Sequence, residues 1–541
     1  MRRRSLLSVL FITVCLPLVA VVYHRLAISS TFFHAPSSSD IMTEAPAGAD
    51  GPGPAPTRPV IVVGSGLAGL SAAYTALVSG ASSSCRLVER APKPGGNSIK
   101  ASSGINGGAG SDDIFLQDTF QSAGARYLQS PKDRSELIGT LIARSSAAIE
   151  FLTGLGVNLK TVAQLGGHSL ARTRRPEGGS PPGWAIVSKL LDKLQNAEFQ
   201  GSFELRHGCE VTRIHTKPNF SNNVLKDDNV RPDRSPSTVV GVDFVQNGGE
   251  YQFLEGPVVF ATGGFAGDAD GLLKTHRPDL AGMPSTNEPR PGAHALLSAI
   301  GAKLVDMDSV QIHPTGFVDP ASPQTRLKFL AAEMLRGEGG ILLYKGKRFF
   351  NELDTRDHVS NAIMSLPAAE GELRQWHIQI LLDPGAAEAA AGHVKFYLSK
   401  GLLEKKKVSE LDDTTKATLA RYAETALGRL PDEFGRSSFG HWKLDPTKLE
   451  SGAEVYIGWV TPIVHFTMGG AVINNHAQVL ASDLGEPQRV IPGIWAAGEI
   501  TGGIHGDNRL GGSSLLECVV FGRIAGEMAA RWTLGSTTIQ S

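Results

Sequence analysis

The run Val60-Ile61-Val62-Val63-Gly64-Ser65-Gly66-Leu67-Ala68-Gly69 constrains this chain more than any other segment. A short β-branched stretch, a Gly-x-Gly-x-x-Gly turn and the small-residue stretch Leu67–Ser79 read as strand, tight turn and helix. The apolar run Cys85–Val88 reads as a second strand ending at Glu89, twenty residues past Gly69. Two parallel strands joined through a helix commit the chain to a parallel sheet with helical cover. The first glycine permits a sharp turn, the second lets the backbone approach a pyrophosphate, and the third lets helix and strand pack closely. The phosphates then lie at the positive end of the helix, and Glu89 is placed to accept from a ribose hydroxyl. Gly64, Ser65, Gly66, Ala68, Gly69, Glu89 and Arg90 are the first candidate cofactor residues. The bland alternative is a glycine-rich turn with no ligand; the flanking elements and the spaced acid argue against it.

A chain of 541 residues exceeds one simple core, so two domains and a leader are expected. A net charge of -1 gives no reason to expect a nucleic-acid partner. Lys405-Lys406-Lys407 reads as a solvated loop or helix face. The cysteines at 15, 85, 209 and 518 form no C-x-x-C, so no haem, iron–sulfur cluster or other metal site is expected.

Arg2, Arg3 and Arg4 precede an apolar run from Leu6 to about Tyr23. Residues 1–34 therefore read as a signal anchor or targeting leader, and 35–57 as a Pro/Ala/Gly/Ser linker. An anchor or cleaved signal points to the endoplasmic reticulum, membrane-anchored or lumenal, with Asn219-Phe220-Ser221 a glycosylation sequon in support. The rival is a mitochondrial presequence, since arginine-rich, acid-poor leaders serve there too.

Further strands are expected at Glu210–His215, Thr238–Phe244, Gly256–Ala261 and Ile494–Ala496, with a closing helix from about Ser514 to Ala530. The fold class is α/β: a Rossmann-like nucleotide-binding domain at 58–307 and 466–541, interrupted by an α+β capping domain at 308–465. The inserted stretch reads as mixed helices with many charges and few buried strands, a mobile lid. The polar stretch Lys217–Pro236 reads as a surface loop.

Three features favour FAD over NAD. Gly95-Gly96-Asn97-Ser98 and the run Ala101–Gly108 give a long small-residue path suited to an extended cofactor, adding Asn97, Ser98, Ser103 and Gly104. Ala261-Thr262-Gly263-Gly264 and Ala497-Gly498-Glu499 resemble later flavin-contacting strand ends, adding Thr262, Gly263, Gly264, Gly498 and Glu499. Val211, Arg509, Ser514 and Leu515 complete the cofactor set.

Five ordered motifs then carry a specific resemblance: Val310-Gln311-Ile312-His313-Pro314-Thr315-Gly316, Leu335-Arg336-Gly337, Arg348–Asp357, His465–Gly470 and Gly502–Ser514. From Arg58 to Thr533 the chain resembles the soluble fumarate reductase family, related to the flavoprotein subunits of succinate dehydrogenase. The fungal single-chain type fits best, because Ser513–Cys518 also agrees. The resemblance implies one noncovalent FAD per chain, since Asn97 stands where membrane-complex relatives carry a flavin-linking histidine. It implies that Arg356 donates a proton to substrate carbon, with Glu333 and Arg336 as its relay. It assigns His313, His465 and Arg509, with Gly104 and Gly512 nearby, to the two carboxylates of the dicarboxylate substrate.

The chemistry is coherent. A buried dianion needs compensating cations and donors, and arginine offers a bidentate fork. An arginine serves as an acid only when fixed beside the forming carbanion and quickly reprotonated. Alone, Arg356 reads equally as a helix-start partner of Asp354 or Asp357, and His505 as a structural residue.

Three departures from the family pattern stand out. An aspartate used near the flavin is missing around Pro291-Gly292-Ala293-His294; Asp507 replaces a usual alanine; Ala332 replaces a hydroxyl residue of bacterial relatives. Asp507 either weakens dianion binding or faces solvent. The expected activity is reduction of fumarate to succinate, with NADH, a reduced flavin or a protein as electron donor. The alternatives are a flavin enzyme acting on another unsaturated acid, and a flavin-bearing electron sink for a redox partner.

Overall fold

The structure is a computed structural model. It describes residues 58–535 apart from 83, 108–111, 166, 178–179, 219–235, 450–451 and 483–488. The leader, the linker, Gly108 and the Asn219 sequon lie outside the described residues, as does most of the stretch read as a loop at 217–236.

Val60–Val63 forms the expected strand, pairing in parallel with Cys85–Glu89 on one side and Val258–Phe260 on the other. Phe203–His207 and Val490–Ala496 extend the parallel sheet, and Gln478–Leu480 closes one edge antiparallel. The central strand is buried throughout, which explains why it reads as a continuous β-branched run without alternation. Cys209–Lys217, Thr238–Gln246 and Tyr251–Glu255 form a separate antiparallel meander.

Gly64 has φ +100°, and a Cβ there would strike Ala261 O, so only glycine makes this turn. The helix Leu67–Val78 packs along the closing helix Ser513–Gly535. Gly526 lies so close to Ala72 O that a side chain would force the two helices apart. The small residues of both helices thus serve a close crossing beneath the sheet.

The inserted stretch differs from its sequence reading. Its centre is an antiparallel sheet ordered Phe329–Leu330, Val310–Phe317, Glu454–Thr467, Ile378–Leu382, Ile341–Leu343. Ile378–Leu382 and Ile341–Leu343 are almost wholly buried, so the expectation of few buried strands is corrected. Pro314 and Pro462 disguised the two longest strands of this sheet, since proline argues against a central strand. The structure accommodates Pro314 at a register shift between His313 and Gly316. The lysine triplet is also corrected: Glu404–Lys407 is an edge strand on Glu454–Thr467, with Lys405 paired to Glu454. Lysine on an exposed edge discourages pairing with other chains. Among the described residues, no helix is long and apolar enough to cross a membrane.

Candidate active site

A cavity of about 1610 Å³ runs from the glycine turn to the inner face of the cap. Pockets for one small ligand occupy roughly 300–1,000 Å³. This one has room for an extended dinucleotide and a small substrate beside it.

Gly64, Ser65, Gly66, Ala68, Glu89 and Arg90 line one end. Gly69 does not reach the cavity; it packs against Gly64 O behind the turn, so its role is close packing and not ligand contact. Glu89 first holds the turn itself, accepting from Ser65 N at 2.8 Å, Ser65 Oγ at 2.5 Å and Ala91 N at 2.7 Å. Its remaining lone pairs are available to a ligand. Asn97, Ser98, Ser103, Gly104 and Val211 line the middle, with Thr262, Gly263 and Gly264 across from them. Asn97 donates to Asn287 Oδ1 at 2.5 Å. Gly498, Glu499, Gly512, Ser514 and Leu515 line the far end. The Thr262 and Ser102 hydroxyls are buried with no protein partner, as side chains awaiting a polar ligand would be. A Cβ on Gly263 would meet nothing within 4 Å, so this strand end opens directly onto free space. These residues fit an extended FAD. A carboxylate also reaches the turn where one seemed missing: Asp268 Oδ2 accepts from Gly292 N at 3.1 Å.

At the cap end, four polar side chains converge. Arg356 opens the helix Arg356–Met364, yet it turns inward and not toward Asp354 or Asp357. Its Nε and one terminal nitrogen donate to Glu333 Oε2 at 2.8 and 2.5 Å. Its other nitrogen donates to Gln311 Oε1 at 3.2 Å. Arg509 donates to that same oxygen at 3.0 Å and lies over the Phe466 ring, 4.4 Å from its centroid. Gln311 in turn donates to Asn508 Oδ1 at 2.6 Å and Arg509 O at 2.9 Å. Arg356, Arg509 and His465 all line the cavity.

His313 does not line the cavity; it sits behind His465, ring centroids 5.5 Å apart. Thr315 engages its Nδ1, and its buried Nε2 has no protein partner. His465 Nδ1 meets Thr286 Oγ1 at 3.2 Å. Burial first, and then neighbouring guanidiniums, hold both imidazoles well below their ordinary range. Both are therefore neutral near pH 7 and donate one N–H each. Burial alone pushes the Glu333 carboxyl up, but Arg356 and Arg336 together outweigh it and hold it below its ordinary value. Arg336 is buried and donates to Glu352 O at 2.6 Å, with Nε and one terminal nitrogen unpartnered. Burial, and next the Arg356 charge, depress the Arg509 guanidinium.

His505 does not line the cavity; its Nε2 pairs with buried Glu517 at 2.9 Å. Ala332, lacking a hydroxyl of its own, donates its amide to Tyr397 OH at 3.2 Å. Gln311 stands in the first of the five motifs, which assigns it no role. Its position two residues before His313 on one strand, hence on the same face, was the signal available. Asn106 was also missed. It holds the Arg509 loop through Gly511 O at 2.8 Å and Ser513 Oγ at 2.9 Å.

Residues 59–515 match the family described as FAD binding domain. The chain is 38% identical to a fumarate reductase of Schizosaccharomyces pombe, over 89% of this chain and 92% of that protein. It is 39% identical to fumarate reductase 1 of Saccharomyces cerevisiae, over 87% of this chain and 98% of that one. The chain belongs to the FAD-binding fumarate reductase family. A solved structure of a flavocytochrome c3 fumarate reductase in its open conformation is similar at TM-score 0.67 and 30% identity, covering 89% of this chain and 79% of that one. As a member of this family the protein is an FAD-dependent oxidoreductase acting on CH–CH groups.

Proposed function

We propose that the protein reduces fumarate to succinate. The observation that carries this reading is the convergence of Arg356 and Arg509 on Gln311 Oε1, at the end of the FAD cavity. Glu333 offsets the Arg356 charge, while Arg509 has no carboxylate hydrogen-bonded to it among the described residues, so the pair keeps excess positive charge that a small dianion would balance.

Arg509 and His465 bind the substrate carboxylates, and His313, buried behind His465 and outside the cavity, backs the His465 ring. Neutral imidazoles donate without competing for protons. Polarising a carboxylate draws electron density from the double bond and readies one carbon for attack. Bound reduced FAD supplies the hydride. Arg356 presents a proton to the other carbon and recovers it through Glu333, whose carboxylate holds two of its nitrogens. Arg336, whose charge also acts on Glu333, is the next member of the relay. The gain of one hydride and one proton turns the fumarate dianion into the succinate dianion. The cap excludes water from the carbanion-like transition state.

Electrons reach the flavin from a separate donor, and the leader directs the chain to the endoplasmic reticulum or the mitochondrion. The test is fumarate turnover driven by reduced methyl viologen, which needs no physiological donor. Turnover supports the reading; FAD-loaded protein that leaves fumarate untouched overturns it.

A further inference from the structure

Asp507, the carboxylate that departs from the family's alanine, does not face Arg509. It lies 44% exposed on the outer side of the loop, against the kinked helix Asp112–Gln129. That helix breaks at Gly124, where φ is +60° and a Cβ would run into the Asp507 carboxylate. Just past the break, Arg126 N donates to Asp507 Oδ2 and Arg126 Nε to Oδ1, both at 3.3 Å. The terminal nitrogens of the same guanidinium reach Asp308 at 2.6 Å and Asp306 at 3.4 Å. Asp306–Asp308 is the crossover between the strand Leu304–Val305 and the cap strand Val310–Phe317, and buried Arg134 anchors it, donating to both Asp306 oxygens at 2.8 Å.

One guanidinium therefore ties the loop bearing Arg509 to the point where the chain enters the cap. We propose that Asp507 is a positioning residue. Through Arg126 it latches the Arg509 loop to the Asp306–Asp308 crossover and keeps Arg509 in register with Gln311 and Arg356. The need is physical. The loop carries glycines at 502, 503, 506, 511 and 512, so holding one conformation costs unusual backbone entropy and requires outside ties. Asp507 N to Ala123 O and Ser122 Oγ to Asn508 O, at 3.0 and 2.8 Å, seat the loop on the helix. The Asp507–Arg126 contact carries that seating across to the cap.

This proposal rests on the dicarboxylate reading above, and the experiment separates the two. FAD-loaded wild type, D507N, R126Q and the double variant are compared by fumarate KM and kcat with reduced viologen, succinate Kd by calorimetry, and amide exchange across residues 503–512. D507N is expected to raise KM and Kd about three- to tenfold, leave kcat within about twofold, and speed exchange in the loop. The double variant is expected to bind no more weakly than R126Q alone. Unchanged KM, Kd and exchange in D507N, or additive losses in the double variant, overturn the latch. So does loss of FAD or of folding in D507N, because a positioning role leaves both intact. Failure of wild type to turn over fumarate defeats the functional reading, while loop exchange still reads the latch.

Discussion

Arg356 and Arg509, one from the cap and one from the closing loop, donate to a single acceptor, Gln311 Oε1, at 3.2 and 3.0 Å. The amide thus sets the spacing of the two guanidiniums before any substrate arrives. Its other end, bonded to Asn508 and Arg509 O, ties the cap strand to the loop.

Gln311→Leu keeps the volume and removes all four of these bonds. Hydrogen bonds to charged groups contribute about 1.5–3 kcal/mol, so kcat/KM for fumarate is expected to fall roughly ten- to a hundredfold. Steady-state kinetics with reduced viologen check this, and a change below about twofold contradicts it.

Glu333→Gln interrupts the relay while keeping shape. Loss of a positioned acid–base group costs about 10²–10⁴ in rate, so kcat is expected to drop by that order. Removing a negative charge beside two arginines does not weaken attraction for a dianion, so succinate binds at least as tightly. Weaker succinate binding with kcat intact contradicts the assignment.

Glu499 accepts from Thr467 N at 3.0 Å, and burial pushes its carboxyl up to about 7. An acid whose folded value exceeds its unfolded value of 4.5 holds more protons when folded in that window. The Glu499 contribution to the stability of the flavin-free protein therefore falls as pH rises from about 4.5 to about 7 and is level above, against the opposite slope from the buried histidines. Glu499→Gln removes that segment. Thermal midpoints of flavin-free wild type and variant, at about pH 5 and about pH 8, decide; equal slopes contradict the expectation.

Gly526→Val tests the helix crossing. A side chain there meets Ala72 O, and overpacking costs about 1–3 kcal/mol. The thermal midpoint is expected to fall, and a variant as stable as wild type contradicts the close-packing account.

The FAD end was the more legible part, because Gly64, Gly66 and Glu89 answer to local rules of turn and spacing. The cap was less so. Glu454–Thr467 is buried on both faces for most of its length and carries Pro462, so it shows neither alternation nor an uninterrupted strand signal. The site residues Arg356, Glu333 and Arg509 came from motif resemblance, whereas Gln311 and Asp507 draw their roles from partners 45 to 381 residues away. Those partners exist only once the cap, the helix Asp112–Gln129 and the closing loop are folded together.

The central claim, that Arg356 supplies the proton, is tested most directly by Arg356→Ala in the FAD-loaded protein, read as viologen-driven fumarate turnover beside succinate affinity. The account predicts a loss of turnover of at least about 10³-fold, with FAD content unchanged and succinate Kd within about tenfold, because Arg509 and His465 still hold the carboxylates. Turnover within about tenfold of wild type would contradict it and assign the proton to another group.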